Sequence, residues 1–427
     1  MPAQRDRTRA QWGMRVSIAP SDLNLSAQAS TPGDDVLRDA QNFSLVLGGP
    51  LFQLLRRARL SDTEDALLLR RVIVISSVAW LPLFVLAALE HHLRGRSVAV
   101  PFLLDLETHI RLLVVVPLLL LAELVVHQRL RPIARAFLDR KLIPPGEVSR
   151  FDQALKSAYD LRNSVLAEVL LVAAVYLVGI LIVWRRYTVL DASSWYLTSS
   201  PQGLKLSLAG LWYAGVSLPI FQFLLLRWYF RLFIWMRFLW QVSRIELILV
   251  PTHPDHLGGL GMLSNTVYAF TVLLMAHGAM LAAQIAGRIL FLGAKLPEFT
   301  MEIASMVIFL LCVVFGPLLV FGPQLSRSKR RGLLAYGTLA EAYVRDFDVK
   351  WLQAKAAANE ALLGSSDIQS LADLANSFAV VRGMRLAPVS KEAMVQLAAA
   401  VLVPLTPLLL TIMDLEQLLR KLLGLVF

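Results

Sequence analysis

The sequence predicts an all-α, polytopic membrane protein with about seven transmembrane helices and a small cytosolic helical region. Three observations predict it. The 427 residues are 56% hydrophobic and 17% charged, with mean hydropathy +0.60, more apolar than a soluble domain of this size. Seven apolar stretches reach the roughly 20 residues that a helix needs to cross the hydrocarbon core. Between them Lys and Arg alternate, 32 in one set of connecting segments against 10 in the other.

Residues 1–40 mix Arg, Ser, Pro and Asp without periodicity and read as a flexible segment. The start, with Arg5, Arg7, Arg9 and Arg15, lacks the apolar core of a secretory signal, so no cleaved leader is expected. Residues 41–71 read as an interfacial lead-in. The stretch 50–57, PLFQLLRR, is a short basic amphipathic helix, and Ser61 to Glu64 fits a capping box for the helix entering the bilayer.

A six-helix transmembrane domain follows over 72–322, with spans at 72–89, 110–127, 165–184, 206–226, 263–287 and 303–322. Residues 323–394 form a cytosolic helical region. There Ala340, Tyr343, Val344, Phe347 and Trp351 recur at helical spacing, a break falls at Gly364, a new helix is capped by Ser366 with Gln369 three residues on, and a stop comes near Pro388. The final part, 395–427, is a seventh membrane segment over 395–413, either spanning or re-entrant because of Pro404 and Pro407, and an amphipathic tail with Leu415, Leu418, Leu419, Leu422 and Leu423 on one stripe.

Positive residues are retained on the cytoplasmic side, which places the N-terminus and the segments 128–162, 227–262 and 323–394 inside. Trp195, Tyr196, Trp212 and Tyr213 at one end of the fourth span, and Trp228, Tyr229 and Trp235 at the other, read as interfacial belts. The net charge of +11 then fits topology and a bilayer with anionic headgroups as partner rather than nucleic acid. The single cysteine, Cys312, excludes a disulfide framework and any multi-cysteine metal site.

Ionisable groups inside a bilayer are costly and therefore functional candidates. Glu123 and His127 lie four apart on one face of the second span, Glu168 enters the third span at a similar depth, and His277 sits mid-way along the fifth. These four are the candidate pathway residues, with interhelical hydrogen bonding as the competing role. Arg227, Arg231, Arg237 and Arg244 extend the fourth span, and their spacing predicts snorkelling toward phosphate headgroups. Glu90, His91, His92, Asp105, Glu107 and His109 gather in the first external loop and read as a solvated polar rim. Ala279, Ala283 and Gly287 form a small-residue stripe suited to close helix contact.

The most distinctive local pattern is PTHPDHLGGLG at 251–261. It resembles the metal-binding loop of the metallo-β-lactamase superfamily, H-x-H-x-D-H, with His253, Asp255 and His256 matching the second His, the Asp and the last His. Pro251 stands where the first His belongs, and no further ligand set follows, so no metal or other cofactor is expected. The structural role for the same residues is a turn: the prolines stop one helix, Asp255 caps amides, and Gly258, Gly259 and Gly261 allow the tight return. A gate or anion-receiving loop is the third role, with His253, Asp255, His256, Gly258 and Gly259 as its residues.

Several stretches together resemble a family of uncharacterised bacterial multi-pass inner-membrane proteins: FSLVLGGPLFQLLRRARL at 43–60, WLPL at 80–83, PFLLDLETHIRLLVVVPLLLLAE at 101–123, and HPD-x-x-GGLG from His253. The resemblance implies a bacterial inner membrane and brings no activity with it. Two function classes follow from the residues. One is a transporter or channel for an ion or small solute, through seven helices with internal Glu123, Glu168 and His277 and with Pro219 and Pro317 in spans. The alternative is a non-enzymatic anchor, sensor or assembly factor whose basic amphipathic stretch 327–363 meets a protein partner or a second copy. An enzyme is not expected, since no nucleophile with an adjacent base, metal set or nucleotide loop is present.

Overall fold

The computed structural model describes residues 44–46, 48, 65–94, 98, 100–189, 194–200, 203–353, 362 and 364–411. The expected flexible start, the amphipathic helix at 50–57, the capping box at Ser61 and the tail stripe beyond Met413 lie outside these residues.

The chain forms helix α1 (Asp65–Leu89), α2 (Leu106–Asp139), α3 (Val148–Arg162) and α4 (Val165–Val189). Then come a hairpin, β1 (Leu197–Ser200) and β2 (Gly203–Leu206), and helix α5 (Leu208–Val242). A 3-10 segment, Leu260–Phe270, leads into α6 (Thr271–Leu292), followed by α7 (Thr300–Phe315), α8 (Gly322–Phe347), α9 (Ser366–Arg382) and α10 (Lys391–Leu402).

Among the described residues, six helical segments are long and apolar enough to cross a bilayer: Leu68–Leu89, Leu106–Asp139, Leu208–Val242, Gly261–Leu292, Leu296–Leu352 and Lys391–Thr411. The protein is therefore an all-α, multi-pass membrane protein. Of the seven expected spans, the third is α4, whose apolar part among residues with described side chains is the shorter Val165–Leu177. The seventh is helical over its described residues, to Thr411, with α10 running into a 3-10 segment, Val403–Thr411, that contains Pro407.

Proline alters the local turn in three of the spans, while Pro82 and Pro132 sit inside regular α-helix. A proline lacks an N–H, and its ring collides with the carbonyl four residues back. The helix accommodates this with a widened π turn at Arg111–Val115 just before Pro117, and another at Tyr213–Ser217 just before Pro219. Pro317 instead sits in a tightened 3-10 turn, Gly316–Phe321, through which α7 runs into α8.

Alternating helix directions gather 140–164, 243–259 and the described residues of 323–353 and 364–390 on one face, here the basic face. Leu142 accepts from the Ile248 amide, Arg140 donates to Gly259, and the Gln324 amide nitrogen donates to the carbonyls of Ser243 and Ile245, both at 2.6 Å. Beneath it, Phe137, Phe151, Phe238 and Phe321 form a buried aromatic knot with ring centroids 5.9–6.4 Å apart. The helical region after α7 is a hairpin of α8 and α9. Lys350 and the Trp351 indole donate to the Asp367 carboxylate at 2.8 and 3.0 Å, and the Tyr343 hydroxyl donates to its carbonyl. Part of the amphipathic stripe is thus used internally, although Val344 stays exposed. The break at Gly364 is present with φ +87°, while α9 starts at Ser366 and ends at Arg382, before Pro388.

The opposite face is not a solvated rim. Glu90 accepts from the amides of Leu208 and Ala209, capping α5, and Asp105 accepts from Thr108 and from the Trp195 indole at 2.9 Å. His109 receives the Trp80 indole N–H on Nδ1 and therefore donates from Nε2 to the Phe102 carbonyl. Trp195 is fully buried, as are Trp228 and Trp235, so these three are core side chains rather than belt residues. Loops that must close over helix ends in or near a bilayer need internal partners for their polar groups, and these residues supply them.

The closest helix contact is also displaced from the expected stripe. A Cβ on Gly278 would lie 2.1 Å from the Val401 carbonyl oxygen of α10, whereas one on Gly287 meets nothing within 4 Å. Gly278→Ala is expected to force α6 and α10 apart and destabilise the protein by about 1–3 kcal/mol, read as a lowered Tm in detergent, while Gly287→Ala leaves Tm unchanged. Equal Tm values for the two variants would exclude this contact.

Candidate functional site

Two groups of polar side chains stand out, one inside the bundle and one on the basic face. The inner group centres on Glu123 of α2, 4% exposed. Its Oε2 is 2.7 Å from Arg71 Nη1 of α1, and its Oε1 is 2.7 Å from Arg231 Nη1 and 3.4 Å from Arg227 Nη1, both of α5. Arg227 Nη2 in turn lies 3.9 Å from Glu168 of α4. The three arginine side chains are 4–8% exposed. Spacing explains the pair on α5: residues 227 and 231 are one turn apart and share the face turned to α2, and the Arg231 guanidinium also covers the Trp228 ring at 5.1 Å.

The expectation that four arginines snorkel is thereby corrected for two of them. Arg227 and Arg231 point inward; Arg237 donates to Ser157, and Arg244 lies exposed over Trp240. Among the described residues the cluster has three guanidiniums and two carboxylates, an excess of one positive charge. Gaps flank it on both sides. A cavity of about 420 Å³ between α1, α4 and α5 reaches Arg71 and is otherwise nearly all apolar. A second, of about 10 Å³ and room for roughly one water, lies among Arg162, Glu168, Arg227 and Arg231.

The four expected pathway residues do not converge. Glu123 and Glu168 meet through Arg227. His127, half-buried, places Nδ1 2.9 Å from the Ser44 hydroxyl. His277 is 3% exposed, with Nδ1 2.8 Å from the Leu273 carbonyl and Nε2 2.9 Å from the Tyr229 hydroxyl. A carbonyl only accepts, so Nδ1 carries a proton, and through Nε2 and the Tyr229 hydroxyl His277 bridges α6 and α5.

The second group is built around the 251–261 turn. Asp255 accepts the amides of Leu257 and Gly259 on Oδ1, at 2.7 and 3.2 Å, and that of Gly261 on Oδ2, at 2.8 Å; His253 Nδ1 lies 2.9 Å from Oδ1. Gly258, Gly259 and His256 adopt positive φ of +64°, +101° and +54°, which costs least at glycine. A Cβ on Gly261 would sit 2.8 Å from the Asp255 carboxylate. The turn also docks the α9–α10 connection: the Arg385 amide donates to the His256 carbonyl at 2.8 Å, and the His256 ring lies 3.3 Å from the Val380 carbonyl. Gly332 of α8 meets Pro251, where a Cβ would come within 2.6 Å.

His253 and His256 therefore diverge, one toward Asp255 and the other toward α9. Among the described residues, no three His, Cys, Asp or Glu side chains come together to hold a metal. Partial burial pushes the Asp255 carboxyl up, but the amides of Leu257, Gly261 and Gly259 together with His253 outweigh it and hold the group below its ordinary value.

Beside this turn opens a cleft of about 1150 Å³, walled by Arg129 and Arg140 of the α2 end, Arg385, and the turn itself. Its polarity was not readable from spacing, because Arg129, Arg140 and Arg385 lie up to 256 positions apart. Compared with family models, with curated proteins and with solved structures, the chain matches none.

Two outcomes follow. Glu123→Gln leaves three buried guanidiniums without their central counter-charge and is expected to destabilise the protein by about 3–5 kcal/mol, measured by denaturant unfolding in detergent micelles; an unchanged midpoint would show that the cluster does not hold the bundle. For Asp255, the depressed value means its stabilisation is complete above the ordinary carboxyl range and disappears as pH falls through the lower folded value. Amide exchange at Leu257, Gly259 and Gly261 should stay slow from neutral pH down to about pH 4 and accelerate below it, beyond the intrinsic pH trend. Asp255→Ala should remove that step.

Proposed function

We propose that the protein is a transporter or channel that carries a small anion or anionic solute across a bacterial inner membrane, with the basic face cytoplasmic. The observation that carries this reading is the guanidinium excess at two depths on one side of the bundle. The cluster on Glu123 has three arginines against two carboxylates, and the cleft has three arginines against Asp255. Glu123 and Arg129 are six residues apart on α2, so the two layers are separated by about 9 Å along the helix. Buried positive charge attracts an anion and repels a cation strongly where the dielectric is low.

Orientation and location rest on the 32 to 10 partition of Lys and Arg, since basic segments are retained in the cytoplasm. A bilayer with anionic headgroups fits the same face. The anchor or sensor alternative draws on α8 and the π turn Asp348–Leu352 that follows it, where Leu334 and Leu352 remain 75% and 74% exposed.

Flux through proteoliposomes separates these readings. Chloride or phosphate uptake should exceed potassium and proton uptake, and Arg71→Gln or Arg227→Gln, each of which removes the excess positive charge, should reduce it at least tenfold at matched incorporation. Folded wild type that carries no anion, or variants that carry it equally well, would sink the transport reading. The anchor reading would then be taken up through α8.

A further inference from the structure

The basic-face cleft has a composition that selects a ligand. Its basic walls come from two separate parts of the chain, Arg129 and Arg140 near the end of α2 and Arg385 between α9 and α10. The one carboxylate in the wall, Asp255, is already committed to three backbone amides and His253. The turn amides at Leu257, Gly259 and Gly261 are consumed by that carboxylate, and one nitrogen each of Arg140 and Arg385 donates to the Gly259 and Asp255 carbonyls, so Arg129 and the remaining N–H groups of Arg140 and Arg385 are the cationic donors that can meet an anion. Neutral donors accompany them: Ser264, Asn265 and Ser390 line the cleft, and the Ser264 hydroxyl is buried without a hydrogen-bond partner among the described residues.

Two further properties narrow the class. A volume near 1150 Å³ exceeds what a single monatomic or tetrahedral ion fills and matches sites for small organic ligands. No Phe, Tyr or Trp is among the described lining residues, and the two imidazoles there are engaged, His253 beside the Asp255 carboxylate and His256 against the Val380 carbonyl, so the cleft lacks a large free aromatic platform for a nucleobase. Guanidinium forks match phosphate oxygens in pairs, better than they match a spherical halide.

We infer that this cleft is a binding site for a phosphate-bearing anion with more than one anionic group and no aromatic ring, of the diphosphate or bisphosphate type. The shared chemistry has two sources, a soluble phosphorylated compound or the headgroup of a phospholipid in the adjoining leaflet. The Pro-Asp turn, on this assignment, is the scaffold of the site rather than its reactive part. The site does not depend on transport, since binding at one face requires no path through the bundle.

The probe is inorganic pyrophosphate, titrated by calorimetry into the full-length protein in neutral detergent. Saturable binding of one pyrophosphate per chain is expected, weaker for orthophosphate and further weakened by salt. Arg129→Gln combined with Arg385→Gln should weaken it at least tenfold; Arg129 is exposed at the rim, so the single Arg129→Gln variant provides a second reading if the pair disturbs folding. No saturable pyrophosphate binding, or equal binding by these variants, would overturn the assignment. ATP binding at least tenfold tighter than pyrophosphate would overturn the non-aromatic class. The source is read in nanodiscs: cardiolipin, with two phosphates in its headgroup, that displaces pyrophosphate where phosphatidylcholine alone does not assigns the headgroup, and undisturbed binding assigns the soluble compound. Because calorimetry reads no flux, its result stands whether or not anion uptake is observed.

Discussion

A carboxylate buried among apolar helices must be paired or neutral, and in this protein that constraint organises the bundle around Glu123. An ionised group moved from water into the protein interior pays several kcal/mol, which only close opposite charges with good hydrogen-bond geometry offset. Here the partners come from three different helices besides α2: Arg71 from α1, Arg227 and Arg231 from α5, and through Arg227 also Glu168 from α4. Each pair fixes the rotation of its helix about its own axis. Apolar side chains alone do this poorly in lipid, because a leucine facing a neighbour and a leucine facing acyl chains have similar energies. Membrane helices that hydrophobicity would leave free to turn are thus set by charge.

The same consideration explains what the sequence discloses. Helix existence and direction follow from hydropathy and from Lys and Arg counts, since both are sums over many residues and tolerate local exceptions. Which arginine points inward does not follow. Arg227 and Arg237 are identical residues on one helix, ten positions apart; only the face of α5 turned to α2 separates them, and that face is known only when both helices are placed. Trp195 gives a parallel case. Its position near a span end suits an interfacial belt, but Asp105, 90 residues earlier, accepts its indole N–H and draws it into the core. Gly278 escaped the small-residue stripe for a simpler reason. A stripe marks a face that could approach a neighbour closely, whereas the approach itself is fixed by the Val401 carbonyl on another helix.

Motif chemistry was legible in part at the 251–261 turn. Histidine, aspartate and glycine in close order suit metal binding, and they suit a sharp turn equally, because both uses need a carboxylate beside a backbone free of Cβ atoms. The structure separates the two through Asp255. Its oxygens receive three amides from the following six residues, which is the capping use, and the two histidines beside it turn apart. The consequence is electrostatic as well as structural. A carboxylate whose lone pairs are directed into its own turn presents little negative potential outward, so the adjoining arginines dominate the cleft.

Arginine on this face has two physical explanations, retention of the segment in the cytoplasm and recognition of an anion, and burial distinguishes them. Topology needs only charge near the headgroups, where a snorkelling side chain stays hydrated at little cost. Arg244, exposed over Trp240, satisfies that need. Arg231, with 4% of its side chain exposed, forgoes hydration that an exposed arginine would have kept while contributing the same single charge to orientation. A guanidinium placed so deeply is explained by what it contacts, and its contacts leave the cluster one positive charge in excess. In a region where water does not screen, that excess is the property of the bundle to which a permeating or bound anion would respond most strongly.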